Sequence, residues 1–130
     1  MKREAAGIDF PRFTKYASRF TYYQRTGLGE KITNFRDLQV WQLGKQIVLS
    51  VYRITKVFPA DERFGLISQM RRAAVSIPSN VAEGFNRLGN KEYRQFLYIA
   101  LGSCGELETQ AEVSCDLGYL SKEERDSLLE

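Results

Sequence analysis

Residues 58–85 read FPADERFGLISQMRRAAVSIPSNVAEGF, and the apolar side chains in this stretch recur with the period of a helix. Spacings of three and four place the row that we expect to be buried on one helical face. Its members are Leu66, Met70, Ala73, Ile77 and Val81, flanked by Phe64, Ile67, Ala74 and Phe85. Asp61 is the candidate N-cap. Pro78 predicts a kink or a split, because proline lacks the backbone N–H that a helix uses.

A second helical pattern precedes this stretch and runs from Asn34 to Phe58. Asn34 is a good N-cap, and Asp37 in the first turn suits the positive end of the helix dipole. The apolar stripe comprises Val40, Leu43, Ile47, Val51, Ile54 and Phe58, widened by Trp41, Val48 and Tyr52. Pro59 ends the helix, since the residue before a proline is pushed out of helical geometry.

A third helical pattern follows, from about Lys91 to Leu117. Gly84 and Gly89 mark the end of the preceding helix, and Asn90 is the candidate N-cap. Residues 100–105 read ALGSCG. Each of the two glycines costs about 1 kcal/mol relative to alanine inside a helix. These small residues predict the close approach of a neighbouring helix, in this bundle or in another subunit.

The end of the sequence contains the start signal of a fourth helix. Ser121 and Glu124 form a capping box after Gly118, which ends the third helix. From Ser121 to Glu130 the fourth helix would be about 15 Å long, roughly half the length of its partners. We expect another chain to close the groove that this leaves, or the chain to have once continued. Periodicity therefore predicts an all-α fold with three full helices and a short fourth.

Residues 1–33 differ from the predicted bundle domain, residues 34–130, and carry seven basic and three acidic side chains. Aromatic residues recur there at helical spacing between basic ones, before the sequence GLG at residues 27–29. The aromatic residues are Phe10, Phe13, Tyr16, Phe20 and Tyr23. One interpretation is an arm that stacks on bases or docks on a partner. The other is a loose terminal extension or an extra helix on the bundle.

Composition argues against catalysis. The 130 residues include no histidine, which removes the commonest general base and the commonest metal ligand together. Cys104 and Cys115 would lie roughly 16 Å apart along one helix, too far for a disulfide. No histidine completes a di-iron bundle site with the glutamates of the third helix, Glu106, Glu108 and Glu112. We therefore expect no catalytic activity, no metal and no cofactor.

The sequence is typical of a cytoplasmic protein. It has no run of about 18 apolar residues, the minimum for a membrane span. The basic residues near the N-terminus are not followed by the uninterrupted apolar stretch of a secretory signal. We therefore expect a cytoplasmic location and no membrane partner.

Charges are divided unevenly along the chain. Residues 35–95 carry ten basic and five acidic side chains, whereas residues 96–130 carry two basic and eight acidic ones. This division suits head-to-tail association or an acidic partner such as nucleic acid. The candidate phosphate-binding residues are Arg53, Lys56, Arg71, Arg72, Arg87, Lys91 and Arg94. The alternative is an ordinary charged surface with scattered salt bridges.

Several short motifs together resemble those of one known family. They are FP at 58–59, FGL at 64–66, QMRRAA at 69–74, SIP at 76–78, NVAEG at 80–84 and GS at 102–103. The chain is similar, from about Asn34 to Leu129, to the bacterial four-helix-bundle proteins encoded in intervening sequences of 23S ribosomal RNA genes. Residues 1–33 and the short fourth helix depart from the usual pattern of that family.

The resemblance implies an antiparallel, up-down four-helix bundle, kinked rather than broken at Pro78, and usually a ring-shaped homopentamer. A related protein, the accessory protein of diversity-generating retroelements, binds a reverse transcriptase and nucleic acid through a basic surface. We therefore expect a non-catalytic oligomeric module that binds RNA, single-stranded DNA or a nucleic-acid enzyme such as a reverse transcriptase. The alternative is a purely structural assembly module. Arg71 and Arg72 match regular basic positions of the family, and subunit contacts are the alternative role for both.

Overall fold

The computed structural model describes residues 32–87 and 89–129, which form four α-helices and no strand. The helices are α1 (Gln39–Thr55), α2 (Leu66–Asn86), α3 (Asn90–Asp116) and α4 (Lys122–Leu129). Helix α2 packs against both α1 and α3, and the short α4 contacts α1 and α3. This arrangement confirms the all-α bundle with a shortened fourth helix. Residues 1–31 of the predicted extension lie outside the described residues, and the domain boundary stays a prediction.

All four helices contribute to one core, as the apolar rows predict. Leu38 and Phe58, just outside α1, complete it from the connecting segments. Side chains with at most 3 % of their surface exposed include Val40, Ile47, Val51, Met70, Ile77, Val81, Leu97, Leu107, Ala111 and Leu128. Phe64 is the exception among the predicted flanking residues, since 88 % of its surface is exposed.

Pro78 lies inside an uninterrupted α2, so the predicted split does not occur. Helix α1 approaches α2 at this proline through Gly44, which is buried. A Cβ added to Gly44 would lie 3.2 Å from both the nitrogen and the Cβ of Pro78. Glycine at this position therefore lets the backbone of α1 lie directly against the proline.

The glycines of α2 and α3 do not behave as their sequence context suggests. Gly84 lies within the last turn of α2 rather than beyond its end, and it is buried against α3. A Cβ there would lie 2.6 Å from the Cβ of Phe96 and 3.1 Å from Cδ2 of Tyr93. Among the described residues, Gly102 and Gly105 face open space, because an added Cβ at either meets nothing within 4 Å. Of the two predicted alternatives, these glycines therefore do not admit a helix of the same bundle among the described residues, and contact with another subunit stays a prediction.

The predicted N-caps of α1, α2 and α3 are all wrong. At α3 the N-cap is Gly89, and Asn90 is the first residue of the helix. Asn34 caps only a short 3₁₀-helix, Phe35–Asp37, because Leu38 is extended (φ −71°, ψ 125°) and α1 begins after it. Asp61 falls in a second 3₁₀-helix, Ala60–Glu62, while the backbone N–H of Leu66 at the start of α2 donates to Oε2 of Glu62 at 2.8 Å. A carboxylate does cap α2, but it comes from the next residue along the chain.

The capping box of α4 is confirmed. The backbone N–H of Glu124 donates to Oγ of Ser121 at 3.0 Å, and the N–H of Ser121 donates to Oε2 of Glu124 at 2.9 Å. Leu128 anchors this helix in the core, with 3 % of its surface exposed. Within the described residues, no helix combines the length and apolar character that a bilayer crossing requires.

Candidate functional site

Arg71 on α2 is held in place by two residues of α1. Its Nε donates a hydrogen bond to Oγ1 of Thr55 at 3.0 Å, and its guanidinium lies 4.5 Å from the ring centre of Tyr52. The Thr55 hydroxyl donates to the carbonyl oxygen of Val51 at 2.7 Å, which leaves a lone pair for Arg71. Thr55 is itself buried. The guanidinium therefore keeps a fixed position while other N–H groups remain to contact a ligand.

Arg71 lies in an open groove of about 660 Å³ that runs over α1 and α2. Three arginines line this surface, and none of its lining residues is acidic. The lining residues, which we call the arginine groove, are Tyr52, Arg63, Phe64, Ile67, Ser68, Arg71, Arg72, Val75, Ser76 and Ser79. The groove therefore combines concentrated positive charge with exposed aromatic surface.

Arg63 and Phe64 in this groove are not among the site residues that the sequence predicts. They follow the second 3₁₀-helix and precede α2, so no helical period marks them. The Arg63 guanidinium lies 5.5 Å from the centre of the Phe64 ring. Glu62, the acidic neighbour of Arg63 in sequence, directs its carboxylate to the start of α2 instead.

Arg72, the second predicted arginine of α2, is exposed and lines the arginine groove. It also borders a neighbouring polar groove between α2 and α3, which contains Glu106 of α3. The structure thus brings the predicted residues Arg71 and Arg72 together with Arg63 in the arginine groove. Arg72 is accessible from this groove and from the polar groove beside it.

Three other predicted residues lie at the junction of α2 and α3. Arg87 donates to Oε1 of Glu83 at 2.6 Å and lies 5.3 Å from the ring centre of Phe96. Lys91 and Arg94 are exposed in the first turns of α3. None of these three lines the arginine groove, so they form a separate basic region.

The last two predicted residues lie near the carboxyl end of α1. Arg53 donates to Oγ of Ser50 at 3.3 Å and lines a groove shared with Glu123 and Glu124 of α4. Lys56 is exposed directly after α1. Because carboxylates face Arg53, this region suits a phosphate less well than the arginine groove does.

Arg125 of α4 lies among acidic side chains of α3 and α4. This arginine pairs with Glu112 at 3.3 Å and with Asp126 at 3.0 Å. Within residues 32–87 and 89–129, no cluster of three or more histidine, cysteine, aspartate or glutamate side chains could hold a metal ion. These carboxylates form a charged surface rather than a ligand set.

Neither thiol forms a disulfide. Burial, with a smaller contribution from Glu108, raises the pKa of the Cys104 thiol from 9.0 to about 12. At neutral pH this thiol is therefore protonated and a poor nucleophile. Cys115 is half-buried, and its Sγ lies 3.9 Å from Nη1 of Arg125.

Comparison with known proteins adds a family to this architecture. No curated protein matches the chain. Residues 36–130, close to three quarters of the sequence, match the family described as 23S rRNA-intervening sequence protein. The matched range contains all four helices and every residue of the arginine groove. On this match the chain belongs to the 23S rRNA-intervening sequence protein family, as its motifs suggested.

Proposed function

We propose that this chain is a non-catalytic module that binds nucleic acid through the arginine groove. One observation carries the proposal: Arg63, Arg71 and Arg72 line a single groove that contains no acidic side chain. Arginine is well suited to phosphate, because its planar guanidinium can donate two parallel hydrogen bonds. The position of Arg71 is also fixed before any ligand arrives, which lowers the entropy lost on binding.

Two features support the non-catalytic part of the proposal. The sequence has no histidine, the usual general base at neutral pH. The more deeply buried thiol, that of Cys104, is held in its protonated form. A binding role needs neither of these groups, whereas most nucleophilic or acid–base mechanisms need at least one.

A salt series tests the proposal. We expect the affinity for a structured RNA and for a single-stranded DNA to fall linearly with salt on logarithmic axes, because each phosphate contact releases counterions. Arg72→Ala should weaken binding and reduce that slope by about 1. Arg72 is preferable to Arg71 as the test position, since removing Arg71 also removes a hydrogen bond to the buried Thr55.

The matched control is Lys122→Ala, an exposed cation on α4 that lies outside the arginine groove. It removes the same charge and should leave affinity and slope within about twofold of the wild type, because it contacts no groove-bound phosphate. Absence of binding, or binding that does not respond to salt, would exclude the nucleic-acid proposal.

Self-association is the second part of the proposal, because α3 carries apolar residues on two opposite faces. One face is buried in the core. The other contains Tyr98, Ile99, Gly102, Gly105, Val113 and the following Leu117, and we call it the outer α3 face. At about 100° per residue these six positions share one side of the helix, together with the polar residues Glu106, Thr109 and Asp116. An exposed face of this kind is typical of a subunit contact, and it supports self-association into a homo-oligomer. The family resemblance implies that this oligomer is a pentamer.

The outer α3 face shares no residue with the arginine groove. An oligomer formed through α3 would therefore leave each groove accessible and would present several grooves to one nucleic acid or to one nucleic-acid enzyme. Repeated binding sites raise the overall affinity without any new contact. In the alternative, a purely structural module, the arginines themselves join the subunits.

A further inference from the structure

Building on the proposed function, we infer that the arginine groove binds unpaired nucleic acid, with one base stacked on the ring of Phe64. Nucleic-acid binding in general needs only the arginines. The choice of an unpaired strand rests on the aromatic side chains that lie beside them.

Phe64 is exposed to an extent that folding does not require. With 88 % of its surface accessible, the Phe64 ring contributes little to the core. The neighbouring Leu66 and Ile67, in contrast, pack against the core. The Arg63 guanidinium lies over the ring, 5.5 Å from its centre. An aromatic face next to a guanidinium offers a stacking surface for a base and a donor for the adjoining phosphate.

A second aromatic position supports the same ligand. Tyr52 has 41 % of its surface exposed, and the Arg71 guanidinium lies 4.5 Å from its ring centre. Two serines of α2, Ser68 and Ser79, add hydroxyl groups along the groove. The groove thus presents cations, hydroxyls and two aromatic groups, the combination that follows a flexible single strand.

A duplex would use only part of this surface. Its base faces are stacked on one another, so only phosphates, sugars and groove edges would meet the protein. The exposed Phe64 ring would then contact polar backbone. An unpaired strand can turn a base onto the ring, because every base has an aromatic face.

The test compares a labelled single strand of about 12 nucleotides, within the site sizes known for such grooves, with the blunt-ended duplex that the same strand forms with its complement. Fluorescence anisotropy at fixed salt measures binding of both. Phe64→Ala should weaken single-strand binding by roughly 5- to 150-fold, the range for loss of one base–aromatic stack. Duplex binding should change by less than about twofold, because paired and stacked bases offer no face to the ring. Phe64→Tyr should retain single-strand binding, because tyrosine keeps an aromatic face.

Leu49→Ala is the matched control, since Leu49 is a large exposed apolar residue on α1 that lies neither in the groove nor on the outer α3 face. It should leave single-strand affinity unchanged. Thermal melting and light scattering on each variant check the fold and the assembled mass. Both should match the wild type for Phe64→Ala, because the ring is almost fully exposed.

The outcomes separate the two proposals. If the wild type binds neither oligonucleotide, the proposed function and this inference both fail. If strand and duplex bind equally and with the same salt dependence, and Phe64→Ala changes neither affinity, only the inference is overturned. The inference alone also fails if Phe64→Ala loses assembled mass together with affinity, since the ring then joins subunits. Displacement of the strand by an equally concentrated poly-glutamate peptide would likewise overturn it, because the groove would then select charge alone.

Discussion

Among single residues, Arg71 shows how a charged side chain acquires a fixed direction from its neighbours. The buried hydroxyl of Thr55 accepts its Nε–H, and the ring of Tyr52 lies 4.5 Å away. Lysine could keep the charge but not both contacts, because it lacks a planar group with several donors. Position 71 therefore serves the α1–α2 contact and the groove together, whereas Arg72 serves the groove surface.

Cys104 gives a prediction about pH. Its pKa of about 12 means that, above pH 9.0, the thiol of the unfolded chain loses its proton while the buried thiol keeps it. The free energy of unfolding should therefore fall as the pH rises from 9.0 to about 12, by at most about 1.4 kcal/mol per pH unit from this group. Cys104→Ala should show a correspondingly shallower pH dependence in urea unfolding.

Cys115→Ala is the control for this measurement, because Cys115 is only half-buried. That variant should keep the wild-type dependence on pH. If wild type and Cys104→Ala lose stability equally between about pH 9 and about pH 11, the Cys104 thiol is not protected from ionisation in the native state.

At the level of the helices, Gly84 fixes how closely α2 and α3 approach each other. Gly84→Ala should lower the free energy of unfolding by about 1–3 kcal/mol, the usual range for overpacking. The reason is that its Cβ would lie 2.6 Å from the Cβ of Phe96, an atom that cannot move without the α3 backbone. Chemical denaturation at neutral pH measures the change.

The comparison is Gly102→Ala, measured in the Ile99→Lys background so that the outer α3 face cannot pair. An added Cβ at Gly102 meets nothing within 4 Å. This change should therefore raise the free energy of unfolding by up to about 1 kcal/mol through helix propensity. If both substitutions change stability in the same direction, the close approach at Gly84 does not limit the packing of α2 against α3.

Helix periodicity predicts the elements well, and the reasons for its failures are physical. Burial repeats every three or four residues, so the apolar rows of α1, α2 and α3 are visible in the sequence. Which glycine meets a neighbouring helix depends on the rotation of each helix, and the pattern does not contain that rotation. The pattern therefore takes Gly84 for the end of α2, although this glycine is the one that meets α3. From the sequence, Asp61 and Glu62 are equally good candidates to cap the start of α2. The conformation of the turn before α2 decides that the carboxylate of Glu62 reaches the N–H of Leu66.

The candidate site is predictable only in part, for a related reason. Arg71 and Arg72 lie in a helix whose orientation follows from its apolar row. Arg63 and Phe64 lie in the turn before α2, where no period indicates which side chain faces solvent. A phenylalanine is ordinarily expected in the core. Only the structure shows that its ring belongs to the arginine groove.

At the scale of the whole described structure, the arginine groove and the outer α3 face are separate surfaces. The arginine groove lies on α1 and α2, whereas the outer α3 face lies on the side of α3 that points away from the core. Acidic side chains of α3 and α4, such as Glu112 and Asp126, lie apart from the groove. Such a division permits assembly and nucleic-acid binding at the same time, because neither surface has to serve both.

This separation predicts how mass and affinity respond to two substitutions. In light scattering we expect the wild type at a multiple of its 15.0 kDa chain mass. Ile99→Lys should reduce that mass toward a single chain, because it places a charge in the outer α3 face and burying an unpaired charge is strongly unfavourable. Arg72→Ala should leave the mass unchanged while nucleic-acid affinity falls. The opposite result, with the mass lost in Arg72→Ala and kept in Ile99→Lys, would place the subunit contact in the arginine groove and favour the purely structural module.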